Sequence, residues 1–233
     1  GLTHQGRWSP HRRRSIGRSV EGTGSERLVV ALQNHDQVGN RARGERLHDL
    51  VGVDRAAAAA ALVLLSPFSA LLFQGEEWAA STPFPYMSDH SGDLGEAVRR
   101  GRRAGFAAFG WSEDEVTDPQ DPATFHSAVL RWGEVAAAPH REVLDWYRSL
   151  IALRARHESL APVPLPARHE VRVRDHVVAV QRGSLTVLAN LGSSAVRDAP
   201  RPAGDVVLTR LGPRAHGDVV DLEPGGVMVV DRS

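Results

Sequence analysis

From Leu28 to Leu32 the chain is continuously apolar, "LVVAL", and then turns polar at Gln33, Asn34, His35, Asp36 and Gln37. So short a run predicts a strand buried on both faces, as in a parallel sheet. In "DRAAAAAALVLL" six alanines followed by leucines predict a helix, with Asp54 as its cap and Pro67 beyond its end. A second short apolar run, Ala70 to Phe73, again finishes in polar residues: Gln74, Glu76 and Glu77. Strand, polar tip, helix, strand, polar tip is the outline of consecutive β/α units. In such units helices cover a parallel sheet and functional groups gather at the carboxyl ends of strands.

Further along, "LGEAVRRGRRAGFAAFG" predicts a helix, and the proline-punctuated "SEDEVTDPQDPATF" reads as an ordered surface loop. A long helix is expected from about His140 to His157. Its apolar positions Val143, Trp146, Tyr147, Leu150, Ile151 and Leu153 recur at helical spacing, as a core-packing stripe does. Pro162, Pro164 and Pro166 then mark a linker. After it come five candidate strands: "EVRVR", "HVVAVQRG", "LTVLANLG", "DVVLTR" and "GGVMVVD", separated by Gly, Asp or Pro. The expected organisation is a β/α region over residues 1–160 followed by a small antiparallel β domain over 161–233. Residues 1–27, rich in Arg, Gly and Ser without periodicity, read as a loop or extended arm.

A chain of 233 residues, 42% hydrophobic, can build one large core or two ordinary ones. Its 28 basic residues, all arginine, balance 28 acidic ones, so no summed field draws it to nucleic acid or to an anionic membrane. With no cysteine there is no disulfide, thiolate metal site or cysteine nucleophile. No apolar stretch approaches the roughly 20 residues that span a bilayer. A soluble, cytoplasmic protein without a cofactor is the simplest expectation.

The polar clusters carry the candidate chemistry. Asn34, His35 and Asp36 either cap a loop or, at the mouth of a barrel, hold sugar hydroxyls through paired donors and acceptors. His35 and Asp36 converge only if the strand has ended or bent there, since neighbours on a strand point to opposite sides. The same alternation argues against a shared metal ion. Glu76 and Glu77 suit acid and base work on a glycosidic bond, or else cap a helix or pair with an arginine. Trp78 offers a face for stacking on a sugar ring or a plug for a barrel rim.

"LQNHDQVGNRARGERL", "LLSPFSALLFQGEEWAASTPF", "DPQDPATF" and "LDWYRSLIALRARHESL" together resemble the carboxyl-terminal half of the maltooligosyltrehalose trehalohydrolases. These enzymes belong to the α-amylase superfamily of glycoside hydrolases. The resemblance implies an α/β fold: the last two β/α units of a (β/α)₈ TIM barrel, then a small antiparallel β-sandwich. It makes Asp36 a catalytic carboxylate that stabilises the transition state. His35 would hydrogen-bond the same sugar, Asn34 and Gln37 would line that subsite, and Glu76, Glu77 and Trp78 would follow the next strand. The implied substrate is a maltooligosyltrehalose or related α-glucan, cleaved at the α-1,4 bond next to its terminal trehalose. The family's nucleophile and acid/base follow earlier barrel strands, so the missing amino-terminal part of the same enzyme is the expected partner. The chain alone is expected to be inactive. Another α-glucan enzyme, of branching or debranching type, and a non-catalytic carbohydrate-binding protein are the alternatives.

Overall fold

The structure is a computed structural model that describes residues 5–107, 110–112, 115–166 and 169–232. Parts of the predicted 94–110 helix, the acidic loop and the proline linker lie outside the described residues. In chain order come β1 (Gln5–Ser9), β2 (Arg14–Gly17), β3 (Val29–Val30), α1 (His35–Gly39), α2 (Leu47–Val51), α3 (Val53–Leu64), β4 (Ser69–Ala70), α4 (Gly92–Ala107), α5 (Pro122–Ser127) and α6 (His140–Arg156). Among the described residues the strands that follow are β5 (Glu170–Arg174), β6 (Val177–Arg182), β7 (Leu185–Asn190), β8 (Val196–Pro200), β9 (Asp205–Arg210), β10 (Arg214–His216), β11 (Val219–Leu222) and β12 (Val227–Asp231). The chain is mixed α/β and divides into two compact units. One holds residues 1–30, 58–71 and 149–233, and the other 31–57 and 72–148.

In the first unit β1 and β2 pair as an antiparallel hairpin, where the sequence suggests a loop or extended arm. β3 and β4 pair in parallel, Val29 opposite Ser69 and Val30 opposite Ala70. The apolar runs therefore contribute only two paired residues each, and Val29 is 65% exposed rather than buried on both faces. Burial on both faces of a parallel pair requires flanking strands and covering helices, and among the described residues β3 pairs with β4 alone in its two-stranded sheet. The helix of alanines ends at Leu64, and the side chain of Arg154 donates to the carbonyls of Leu64 at 2.5 Å, Ser66 at 2.7 Å and Phe68 at 2.6 Å. One guanidinium thus satisfies carbonyls that the end of a helix leaves without partners. Burial holds that guanidinium below its ordinary pKa.

All five predicted carboxyl-terminal strands form one antiparallel sheet, ordered β5-β6-β7-β12-β9. A second sheet, β10-β11-β8, was not legible: its strands are short and carry Arg, Asp, His and Pro. Its apolar residues nevertheless complete the core, where Ala199, Val220 and Leu222 pack with Val177, Leu188, Met228 and Val230. Asn190, fully buried, holds the connection after β7 by donating to the carbonyls of Ser194 and Leu222 and accepting from the N–H of Gly192 at 2.9 Å.

The second unit packs around Val38, Ala57, Trp78, Val143, Trp146 and Tyr147, all buried. The Trp146 indole donates to the Ala57 carbonyl at 2.9 Å. Five members of the predicted α6 stripe are buried, but Ile151 is 45% exposed. The predicted loop "SEDEVTDPQDPATF" runs at its end into a helix, α5, started by Pro122 and capped by Asp121, whose carboxylate accepts the N–H of Ala123 at 2.8 Å. Asp118 accepts from Arg99 and from the N–H of Gln120, which organises the turn before it. No helix among the described residues is long and apolar enough to cross a membrane.

Candidate active site

The polar cluster after β3 is a helix start. Asn34 is extended, and its side-chain oxygen accepts the N–H of Asp36 at 2.7 Å. The Gln37 side chain accepts the N–H of Asn34 at 2.9 Å. This reciprocal box satisfies two donors that the first turn of α1 would otherwise leave unpaired. It also answers the geometric objection raised by the sequence: the strand has ended, and on the first turn of a helix His35 and Asp36 swing together. His35 Nε2 lies 3.3 Å from Asp36 Oδ1, with the two side chains 70% and 68% exposed.

Below them α1 is anchored. Val38 is buried, and Arg102 on α4 donates to the Gly39 carbonyl and to Asn40 Oδ1. The same guanidinium lies 4.5 Å from the centroid of the Tyr86 ring and 5.1 Å from that of Phe106. Two exposed functional groups thus stand on a turn whose underside is fixed.

The second polar cluster is the opposite case. Glu76 is buried; its carboxylate accepts from the Tyr147 hydroxyl at 3.1 Å and from the Phe73 N–H at 3.4 Å. Burial pushes its pKa upward, against the hydrogen bonds from Phe73, Tyr147 and Gln33. Trp78, also buried, donates to Glu134 at 3.3 Å, and its ring lies 5.0 Å from Trp132, which is 69% exposed. Burial opposes ionisation of Glu134, yet hydrogen bonds from the Ser81 hydroxyl and N–H, with His140 nearby, hold its carboxyl below the ordinary range. Glu77 is half-buried and attracts Arg46. Gly75 permits the turn: its φ of +80° is left-handed, and a Cβ there would come within 2.7 Å of Ala80 Cβ.

Arg46 escaped sequence reasoning. It is fully buried, donates from Nε to the Thr82 carbonyl at 2.5 Å and from Nη1 to the Gln74 carbonyl at 2.7 Å, and lies 5.4 Å from the Phe73 ring centroid. Burial lowers its pKa, while Asp49, Glu77, Glu76 and Glu134 counteract that. Gln33 accepts the N–H of Leu47 at 2.8 Å and also reaches Glu76. Gln33 and Arg46 therefore tie the segment carrying Asp36 to the segment carrying Glu76. Among 28 basic residues, all arginine, no sequence signal separates this one from a solvated neighbour. Among the described residues, no three His, Asp or Glu side chains are grouped to hold a metal ion.

No protein-family model matches the chain. Among curated proteins it is 47% identical over 194 residues to the malto-oligosyltrehalose trehalohydrolase of Arthrobacter ramosus, covering 82% of this chain. It is 40% identical over 215 residues to that of Brevibacterium helvolum, covering 89%. The chain belongs, over these residues, to the malto-oligosyltrehalose trehalohydrolase family. It spans 33% and 36% of the length of those two relatives, about a third of a trehalohydrolase. Of solved structures, a Salmonella typhimurium protein assigned to the α-amylases matches 97% of the chain and 39% of its own length. The TM-score is 0.77 and the identity 31%. An isomaltulose synthase from Erwinia rhapontici, at 17% identity and a TM-score of 0.56, shares the fold.

Proposed function

We propose that the trehalohydrolase to which these residues belong cleaves the α-1,4-glucosidic bond next to the terminal trehalose of a maltooligosyltrehalose, releasing trehalose. Asp36 is its transition-state stabiliser. The observation that carries this reading is the exposed His35–Asp36 pair, 3.3 Å apart on a capped and anchored turn, in a chain 47% identical to a named trehalohydrolase. An exposed carboxylate beside an imidazole accepts from two adjacent sugar hydroxyls while the ring nitrogen holds a third group. A grip that tightens as the sugar approaches an oxocarbenium-like geometry lowers the barrier rather than merely binding substrate. Asn34 and Gln37 keep that turn in shape, while Glu76 and Arg46 brace the segment that follows β4.

In this reading residues 1–160 are the carboxyl-terminal part of a (β/α)₈ barrel, with β3 and β4 as consecutive strands, and 161–233 are the all-β domain. Glycoside hydrolysis uses two further carboxylates flanking the bond. These come from the rest of the enzyme, so the 233-residue chain alone releases no trehalose. The test is Asp36→Asn in the complete enzyme, with trehalose release measured against maltooligosyltrehalose. A fall of about 10²-fold or more in kcat with retained folding is expected; wild-type turnover would sink the assignment. A product mixture dominated by branched or debranched glucan would replace the substrate class and leave Asp36's role standing.

A further inference from the structure

We propose that Arg102 is a positioning residue for the reaction: from α4 it fixes the far end of α1, so that the Asp36 carboxylate meets the transition state in place. The proposal rests on the reading of Asp36 as the transition-state stabiliser and names the group that holds it still.

Helix α1 has only five residues, His35–Gly39, far fewer than a helix needs to persist unaided in water. Both of its ends therefore need partners. Asn34 and Gln37 supply them at the first end. At the other end the Gly39 carbonyl is among those that a helix leaves without an intrahelical donor. Arg102 donates to it through Nη2, while Nη1 reaches Asn40 Oδ1 at 3.3 Å. Asn40 in turn donates its N–H to the Asp36 carbonyl at 3.1 Å. A continuous path of hydrogen bonds thus runs from the guanidinium through Asn40 to the main chain of Asp36.

Arg102 is itself held. Its guanidinium lies 4.5 Å from the Tyr86 ring centroid and 5.1 Å from that of Phe106, and a planar guanidinium stacks well on aromatic rings. Arg99, on the same helix, is the contrast. It pairs with Glu96 and Asp118 and so organises its own helix and the loop beside it. Among the described residues no carboxylate is paired with Arg102, whose donors go to α1 instead. A cation at the end of a helix also stabilises it slightly through the dipole, but that role alone would leave turnover of the folded enzyme unchanged. Positioning has a different signature. A reacting-group displacement of about 1 Å can lower a rate by about 10²-fold, and a contact made chiefly in the transition state shows in kcat before KM.

The test is a double-mutant cycle in the complete enzyme, with trehalose release from maltooligosyltrehalose as the readout and thermal melts as the check on folding. Its members are Asp36→Asn and Arg102→Met, alone and combined; the methionine keeps an apolar stem and removes the donors. Arg102→Met alone should lower kcat by at least about tenfold and change KM by less than about threefold. In the Asp36→Asn background the same substitution should lower kcat by less than about twofold, because no carboxylate remains to be positioned. Arg102→Lys keeps the charge without the fork and should not rescue turnover. An unchanged kcat in Arg102→Met, an equal fall in both backgrounds, a loss confined to KM, or rescue by lysine overturns the positioning role and leaves that of Asp36 standing. Wild-type turnover in Asp36→Asn overturns both. Should Arg102→Met fail to fold, Asn40→Ala decides: the position is exposed, and losing its acceptor should lower kcat by about threefold with Asp36 present and not in its absence. The same fall in both backgrounds, or none in either, overturns the proposal.

Discussion

The two polar clusters of the second unit are similar in composition and opposite in environment. At the start of α1, Asp36 and His35 are about two-thirds exposed and touch each other. After β4, Glu76 is buried and its carboxylate is satisfied by Tyr147 and by backbone. An exposed polar contact contributes little to stability, so the first cluster keeps its hydrogen-bonding capacity for a ligand. A buried carboxylate has already been withdrawn from water and must be matched by protein groups. The second cluster is thus a structural hub, and the distinction follows from solvent access, not residue type.

Substitutions should separate the two. The largest effect on stability is expected from Arg46→Ala, which removes both carbonyl contacts and strands neighbouring carboxylates: about 3–5 kcal/mol in chemical denaturation. A loss below about 1 kcal/mol would show that Arg46 does not join the clusters. Tyr147→Phe, which leaves Glu76 Oε1 without its hydroxyl donor, should cost about 1–3 kcal/mol by the same measurement.

Asn34→Ala should cost about 1 kcal/mol as a lost helix cap, and should lower activity of the complete enzyme by letting Asp36 wander. Asp36→Asn should change stability least, within about 0.5 kcal/mol, despite the largest loss of turnover. If unfolding and turnover fell together in that variant, the contrast between the clusters would collapse.

The pH dependence sharpens the same contrast. Burial raises the pKa of Glu76 in the folded state, so the folded protein holds that proton more tightly than the unfolded chain. Its unfavourable contribution is absent below the unfolded carboxyl pKa and grows as pH rises through the folded one. Glu76→Gln should therefore compare more favourably with wild type at pH 8 than at pH 4, when thermal midpoints are measured at both. Arg46 and Glu77 face the same carboxyl with opposite sign, and a reversed trend would mean that Arg46 dominates.

Much of this was legible beforehand. The alanine run announces itself by helix propensity, and the α6 stripe and the five strands of the larger sheet by period, because a face that packs must repeat at 3.6 or at 2. Asn34 with Gln37 three residues on is a readable helix-start pattern, although "NHDQ" directly after an apolar run hid it as a strand tip. Ile151 continues the stripe by spacing yet is exposed, since only the packed neighbours determine how wide a helix's covered face is. The short strands β8, β10 and β11 offer too few apolar positions to show a period.

By itself, then, the order of residues determined which segments form the long helices and the long carboxyl-terminal strands, where polar groups interrupt them, and which family the chain resembles. All of these are local or comparative properties of the chain. Only the folded structure decided that Glu76, Trp78 and Arg46 are enclosed while His35 and Asp36 face solvent. It also decided that Arg102, distant in sequence, ends on the turn that carries them. Burial depends on which distant segments come to lie over a side chain, and nothing in a residue's own neighbourhood in sequence encodes that cover.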